Sequence, residues 1–431
     1  MKIRFRIASH GKLAWLVAHL IGWSSVFGRW TLSRISTALG DAADLLQPRF
    51  VLASLALLLS FFLLPALKKE IFLPKSLFRQ AIASGLLFVY LAVSSIWAPP
   101  NPYTQIKTLE VILLFFLVSI LALSLVTSPL SSIDGFVKGV AFGCLVLVIA
   151  GIVGLASGSG GRLSSLGGGP NAFARNCGIA LLCLAVLSNR YRILRSPVIP
   201  VSLFSLTVLS GSRGGMIATI AGVLYYAISA RLFTQLRALL SRGPVLVLGC
   251  AVALVVVREL EAFETAQRRL TTVSFGGQGD MSVGGLSIYS SGRGALFASA
   301  FQRGLANPLA GDGLGSFMAS SGGSYPHNIF LELFAEAGLI GVILAIVALW
   351  PLASKKNRQN LVRLGLVSVA LLSLVAAMFS GDLYDSRNVW LFLLAASSID
   401  TSRQYSLAWS TDTSAASPWR REARTQAARQ G

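Results

Sequence analysis

Apolar residues in this chain gather in long runs and polar residues gather between them, so the length that organises the sequence is the thickness of a membrane. The runs are Leu13–Trp30, Phe50–Leu67, Ala81–Ala98, Thr108–Val126, Val137–Ala156, Ala172–Ser188, Pro197–Ser210, Gly215–Ala230, Pro244–Val257, Asn328–Trp350, Leu361–Ser380 and the shorter Asn388–Ile399. Most approach the roughly 20 residues that a helix needs to cross a hydrocarbon core of about 30 Å, and flanking residues can help the rest across. Backbone polar groups in hydrocarbon must be satisfied within their own segment, which selects helix. The expected fold class is an all-α polytopic membrane protein with about twelve transmembrane helices and a long periplasmic loop before the tenth.

Composition agrees with that pattern. The 431 residues are 54% hydrophobic and only 13% charged, which excludes an ordinary soluble protein. A net charge of +20 could point to nucleic acid, but the basic residues lie in short clusters between apolar runs, as loop charges that set membrane orientation do. No nucleic-acid partner is expected. Cys144, Cys177, Cys183 and Cys250 all fall inside apolar segments without paired metal-ligand spacing, so neither a disulfide nor a metal site is expected.

Lysines and arginines set the orientation. Lys68, Lys69, Lys75 and Arg79 follow the second run, Arg190, Arg192 and Arg195 the sixth, Arg231, Arg237 and Arg242 the eighth, and Lys355, Lys356 and Arg358 the tenth. These loops share one side, the cytoplasm by the positive-inside rule, and Val126–Phe136 joins them without a basic residue. The basic segment Lys2–Lys12 falls on that side only if Leu13–Trp30 spans, rather than acting as a signal peptide or lying in the interface; the run carries His19 and has no small-x-small cleavage site followed by a soluble domain. Both termini are then cytoplasmic. The opposite, working face holds Ser157–Asn171, the turn Gly211–Gly214, the loop Arg258–Pro326 and Gly381–Arg387. The chain divides into nine transmembrane helices with short loops (1–257), a periplasmic catalytic loop (258–326), three further helices (327–400) and a basic, disordered cytoplasmic tail (401–431). Within the loop, Phe275–Ser291 is Gly/Ser-rich and reads as mobile, whereas Gly294–Leu305 has helical spacing and ends at Asn307-Pro308.

One stretch joins polar chemistry to a membrane helix. In Tyr325-Pro-His-Asn-Ile-Phe-Leu-Glu-Leu-Phe-Ala-Glu, Pro326 biases Tyr325 away from helix and Asn328 is a good N-cap, so the tenth helix starts there with His327 at the membrane surface. Asn328, Glu332 and Glu336 recur every fourth residue and share one face. Ionisable groups at that depth are costly unless paired or facing water, so the expectation is a polar cavity floored by this helix and rimmed by His327.

His327-Asn328, Leu331, Glu336, Gly338 and Gly341 resemble the His-Asn-x-x-Leu-x-x-x-x-Glu-x-Gly-x-x-Gly signature of the bacterial O-antigen ligase and polysaccharide polymerase superfamily. Arg162-Leu-Ser-Ser-Leu-Gly-Gly-Gly-Pro-Asn171 resembles, one residue short, a family loop of the type Arg-Leu-x-x-x-Gly-x-x-x-Pro-Asn. Gly292-Arg293 before a helix, then Pro308-Leu309, Gly311 and Gly313, is similar to a further family pattern; Phe297 stands where the family commonly has tryptophan. The working face also carries Arg162, Arg175, Arg213, Arg293, Arg303 and Arg387, and a forked, permanently charged guanidinium suits phosphate oxygens. Arg213, pinned between two membrane helices, and Arg293, at the start of the loop helix, resemble superfamily positions.

The resemblance implies an inverting, metal-independent glycosyltransferase without cofactors. Its donor is a glycan on undecaprenyl pyrophosphate and its acceptor a sugar hydroxyl, on a lipid-linked repeat unit for a polymerase or on lipid A core for a ligase. The partners it implies are those substrates, membrane lipid and a polysaccharide assembly and export system. His327 is the expected general base, Arg213 and Arg293 the pyrophosphate ligands with Arg162 and Arg303 in support, and Asn328, Glu332 and Glu336 the groups that orient them. Polymerisation of exopolysaccharide, capsule or O-antigen is the expected activity. A transporter of lipid-linked anions is the alternative of another class; it calls for inverted repeats with paired broken helices, which the sequence does not display. The stretch Gly158–Gly169 lacks the Lys-Ser/Thr of a P-loop.

Overall fold

The computed structural model describes residues 2–28, 47–68, 74–156, 163–164, 168–188, 191, 196, 198–230, 274–275, 281–283, 286–288, 293–354, 357 and 360–399. Its helices are α1 (Lys2–Ser24), α2 (Pro48–Ser60), α3 (Lys75–Ser94), α4 (Pro102–Thr127), α5 (Pro129–Ala156), α6 (Gly169–Ser188), α7 (Val198–Leu209), α8 (Arg213–Ser229), α9 (Arg293–Ala306), the short α10 (Ser316–Ser320), α11 (Ile329–Leu349), α12 (Leu361–Ala377) and α13 (Arg387–Ser397). Between α8 and α9, β1 (Ser274–Phe275), β2 (Met281–Val283) and β3 (Leu286–Ile288) pair antiparallel in the order β1-β3-β2. This small sheet interrupts the helical architecture in a stretch that reads as mobile from sequence.

Among the described residues six segments are long and apolar enough to cross a membrane: Pro48–Pro65, Lys75–Ser94, Pro102–Thr127, Pro129–Leu155, Gly169–Ser188 and Ile329–Ala353. Among the described residues α7 and α12 are apolar but shorter, while the expected span 244–257 lies outside them. The described residues thus do not confirm twelve full spans, and α13 shows why a short run can still belong to a bundle. Its eleven residues make about 16 Å of helix, half a bilayer. Every one of them is buried. Trp390 meets Phe88 edge-on at 5.9 Å, and Phe392 meets Phe136 at 4.8 Å. This helix is the central post of the bundle rather than a lipid-facing crossing.

Helix α1 is held by close backbone approach to α5. A Cβ at Gly135, Gly139 or Gly22 would run into the facing main chain of Trp15, His19 or Phe136, so the glycines at 135, 139 and 143 let two helices approach as small-residue motifs do. Trp15 Nε1 donates to Asp134 at 2.9 Å across the same contact.

Helix ends collect at two poles. At one, Ser76 Oγ donates to Ser397 O (2.7 Å), Gln80 Nε2 to Ala348 O (2.9 Å) and Arg363 Nη1 to Ile399 O (3.0 Å). At the other, Arg387 Nε donates to Ser25 O (2.6 Å), Arg49 Nη1 to Glu110 Oε1 (2.6 Å) and Asn171 Nδ2 to Ser380 Oγ (3.0 Å).

The sequence predicts one unbroken helix over Asn328–Trp350, and here the structure differs. Gly338 has φ 63° and ψ −163°, a conformation that only glycine adopts readily, and it breaks α11 near its middle. The freed backbone groups are closed by the segment Pro308–Gly313. Asp312 N donates to Ala335 O (3.0 Å), Gly313 N to Glu336 O (2.9 Å), and Tyr90 Oη to Ala337 O (3.1 Å). On the other side of the break Leu339 N donates to Pro308 O (2.8 Å) and Ile340 N to Leu309 O (3.2 Å). Irregular backbone at membrane depth survives only when protein satisfies it in this way. Helix α9 therefore does not stay outside the bundle: it runs beside α11, with Phe301 against Phe334 at 5.9 Å, until Pro308 stands level with Leu339. That level is about 15 Å along α11 from Ile329.

Candidate active site

The site is assembled around three residues, Met378–Ser380, that follow α12. Asn328 Nδ2 reaches Met378 O at 3.4 Å, Arg293 Nη1 donates to Phe379 O at 2.5 Å, and Ser380 Oγ accepts from Asn171. Ser212 Oγ donates to Asn171 Oδ1 at 2.5 Å and caps α8 by accepting from Gly215 N at 3.1 Å. A Cβ on Gly214 would meet Phe379 Cβ at 2.7 Å, so glycine lets the start of α8 press against the same segment. The first residues of α8, α9 and α11, and with them Arg213, Arg293 and His327, thus converge on one short strand of chain.

His327 has φ 58°, the one non-glycine residue with positive φ among the described residues. For an L-residue that conformation costs about 1–2 kcal/mol, and such strain persists where surroundings over-determine it, commonly at active sites. Asn328 explains part of the constraint: its Oδ1 accepts from Phe330 N (3.0 Å) and Leu331 N (3.2 Å), so α11 begins immediately behind His327. The imidazole lies against the Tyr325 ring at 4.3 Å between centroids, and its Nδ1 is buried without a hydrogen-bond partner. Burial, reinforced by the Arg293 guanidinium and opposed by Asp385, pushes the His327 pKa down to about 4. The ring is therefore neutral at pH 7 and able to accept a proton. Burial also raises the Tyr325 hydroxyl well above its ordinary value, with Asp385 and Asp382 adding to the effect.

Arg293 is half-buried, and burial lowers its pKa from the usual value, with Arg213 lowering it further and Tyr325 opposing. Guanidinium groups remain protonated under such shifts, so two cations stand within each other's field beside a neutral imidazole. That arrangement favours an anion between them. Arg175 and Arg387 meet at one carboxylate. Both pair with Asp385, at 3.4 and 3.2 Å, and Arg387 also binds the carbonyls of Ser25, Val26 and Tyr384. Arg303 stands ten residues, about 15 Å, along α9 from Arg293. It pairs with Asp312 at 3.4 Å, steadying the segment that closes the break in α11. Arg162 lies outside the described residues.

Glu332 and Glu336 share a face as expected, but that face does not floor an open polar cavity. Both carboxylates are buried against Lys107 of α4, whose Nζ contacts Glu336 Oε1 and Oε2 at 2.7 and 2.9 Å and also binds Glu332 Oε1. All three side chains are 3% exposed or less. Removing one partner of such a set strands a buried charge, which typically costs about 3–5 kcal/mol. Sequence reading passed over Lys107 because it lies one residue before an apolar run; the signal was its position, with Glu110, inside an otherwise apolar 26-residue helix.

No curated protein matches the chain. A family model described as O-antigen ligase matches residues 198–346, a stretch that contains Arg213, Arg293, Arg303, His327, Asn328, Glu332 and Glu336 but neither Arg162 nor Lys107. Over residues 198–346, about a third of its length, the chain is thus similar to the O-antigen ligase family.

Proposed function

We propose that the protein is an inner-membrane glycosyltransferase that moves a glycan from undecaprenyl pyrophosphate to a sugar hydroxyl in the periplasm, without a metal and with inversion at the anomeric carbon. The observation that carries this reading is His327: strained, neutral, with a buried unpartnered nitrogen, and next to Arg293, whose own neighbour is Arg213. His327 takes the proton of the acceptor hydroxyl as it attacks the anomeric carbon. Arg213 and Arg293 hold the pyrophosphate and offset the charge that grows on it as the glycosyl bond breaks, so the leaving group departs unprotonated. Asn328 fixes the start of α11 behind the base, and Glu332 and Glu336 orient that helix through Lys107. Arg162 supports the donor from the preceding loop; Arg303 acts at one remove through Asp312.

Polymerisation is the activity proposed, the acceptor being a second lipid-linked repeat. Ligation to lipid A core is the second reading, favoured by the description of the matching family. Purified protein given donor together with either acceptor separates them: a ladder of lengthened lipid-linked glycan supports polymerisation, and transfer to core alone supports ligation. A transporter is disfavoured by the break in α11. Transporters leave broken helix ends open to their ligands, whereas the ends freed at Gly338 are occupied by Pro308–Gly313 and Tyr90.

A further inference from the structure

We propose that Lys107 is a positioning residue for His327, acting through Glu332 and Glu336 and resting on the assignment of His327 as the base. The break at Gly338 separates the first nine residues of α11, Ile329 to Ala337, from the rest of the helix. This half-helix, about 13 Å long, carries His327 and its cap Asn328 at its tip. It cannot take its position from the lower half, because the chain between them turns through a conformation foreign to helix. Other elements must set it.

Three do so. Asp312 N, Gly313 N and Tyr90 Oη bind the carbonyls at its lower end. Asn328 ties its tip to Met378. Along its length, Lys107 binds Glu332 in the first turn and Glu336 in the second. Two carboxylates one turn apart on a single ammonium fix both the height of the half-helix, about 6 Å between attachment points, and its rotation about its own axis. Rotation matters most for His327, whose φ of 58° leaves its ring direction dependent on where the helix begins. Lys107 is 2% exposed and on a different helix, so it does not reach a substrate. Its influence on the reaction passes through the base.

A double-mutant cycle tests this. Lys107→Met combined with Glu332→Gln and Glu336→Gln removes these three buried charges together, so none of the three is left as an unpaired ion. The triple variant should lower kcat by about 10- to 100-fold, the range that a small misplacement produces, with KM for the lipid-pyrophosphate donor changed less than about twofold. In a His327→Ala background the same three substitutions should lower the residual rate by less than about twofold, because the group they position is gone. Glu336→Gln alone, which leaves Lys107 paired with Glu332, is run through the same cycle and carries the test if the triple variant does not insert. An unchanged kcat, or an equal loss with and without His327, overturns the positioning role. If His327→Ala alone were as active as wild type, the assignment of the base would fall first; if it is impaired and the losses are additive, only the role of Lys107 falls.

Discussion

Gly338→Ala is the substitution whose effect follows most fully from the backbone. An alanine there faces two exits. It can keep φ 63° and ψ −163°, at about 1–3 kcal/mol of strain, with its Cβ pressed into the main chain of Leu309 and Ala310. Otherwise the helix straightens and regains its own ladder, and Pro308–Gly313 is expelled. Four hydrogen bonds from that segment are then lost, those of Pro308 O, Leu309 O, Asp312 N and Gly313 N. At about 0.5–1.5 kcal/mol net for each, these contribute about 2–6 kcal/mol, which the bonds regained within the straightened helix offset only in part because the groups of Pro308–Gly313 stay unpaired. Gly322→Ala separates strain from collision, since Gly322 has φ 64° but nothing within 4 Å of an added Cβ; it should cost only about 1–2 kcal/mol. Thermal unfolding of both variants in one detergent measures the difference. Gly338→Ala should lower the midpoint clearly more than Gly322→Ala and abolish turnover, because the half-helix that carries His327 shifts. A Gly338→Ala protein as stable as Gly322→Ala would show that the break does not need glycine and that Pro308–Gly313 is not its closure.

Arg213→Ala and Arg293→Ala should each remove product while the protein stays in the membrane, and Arg→Lys should rescue poorly because the forked geometry is lost; equal damage from Arg268→Ala or Arg269→Ala would point to a general basic surface instead. Because the base must be unprotonated and its pKa in the free protein lies near 4, kcat/KM for the donor should stay level from pH 7.5 to about 5.5 and fall only as the pH approaches 4. A histidine at its ordinary 6.5 would lose about nine-tenths of the rate by pH 5.5, and that profile would contradict the buried environment described for His327. For topology, a reporter fused after Gly285 should be active only as a periplasmic marker and one after Lys356 only as a cytoplasmic marker, with reversed signals refuting the orientation.

Much of the bundle was legible because hydrophobic runs and cap residues act locally. Asn328 caps α11 where Pro326-His-Asn places it, and the spacing over Gly294–Leu305 matches α9 to within a residue at each end. What escaped depends on contacts between distant segments. A glycine inside an apolar run reads as helix, and nothing near Gly338 in sequence announces that Pro308–Gly313 completes its backbone hydrogen bonds. The same holds for Glu332 and Glu336, where spacing gives the shared face but not the partner, because Lys107 lies 225 residues from Glu332. The arginines stand out in the sequence, but their partners do not. That Arg175 and Arg387 meet at Asp385, and that Arg303 pairs with Asp312, needed the structure.

The central claim is that His327 is the base, and the most direct measurement is turnover and donor binding by His327→Ala in one preparation. Purified protein with an undecaprenyl-pyrophosphate glycan and an acceptor should lose roughly 10²–10⁴-fold in rate, while the donor still raises its thermal midpoint as it does for wild type. Wild-type turnover should also survive a chelator. Near-normal turnover of His327→Ala, or loss of the donor's thermal protection together with turnover, would contradict the account: the first removes His327 from the mechanism, and the second makes it a residue that holds substrate.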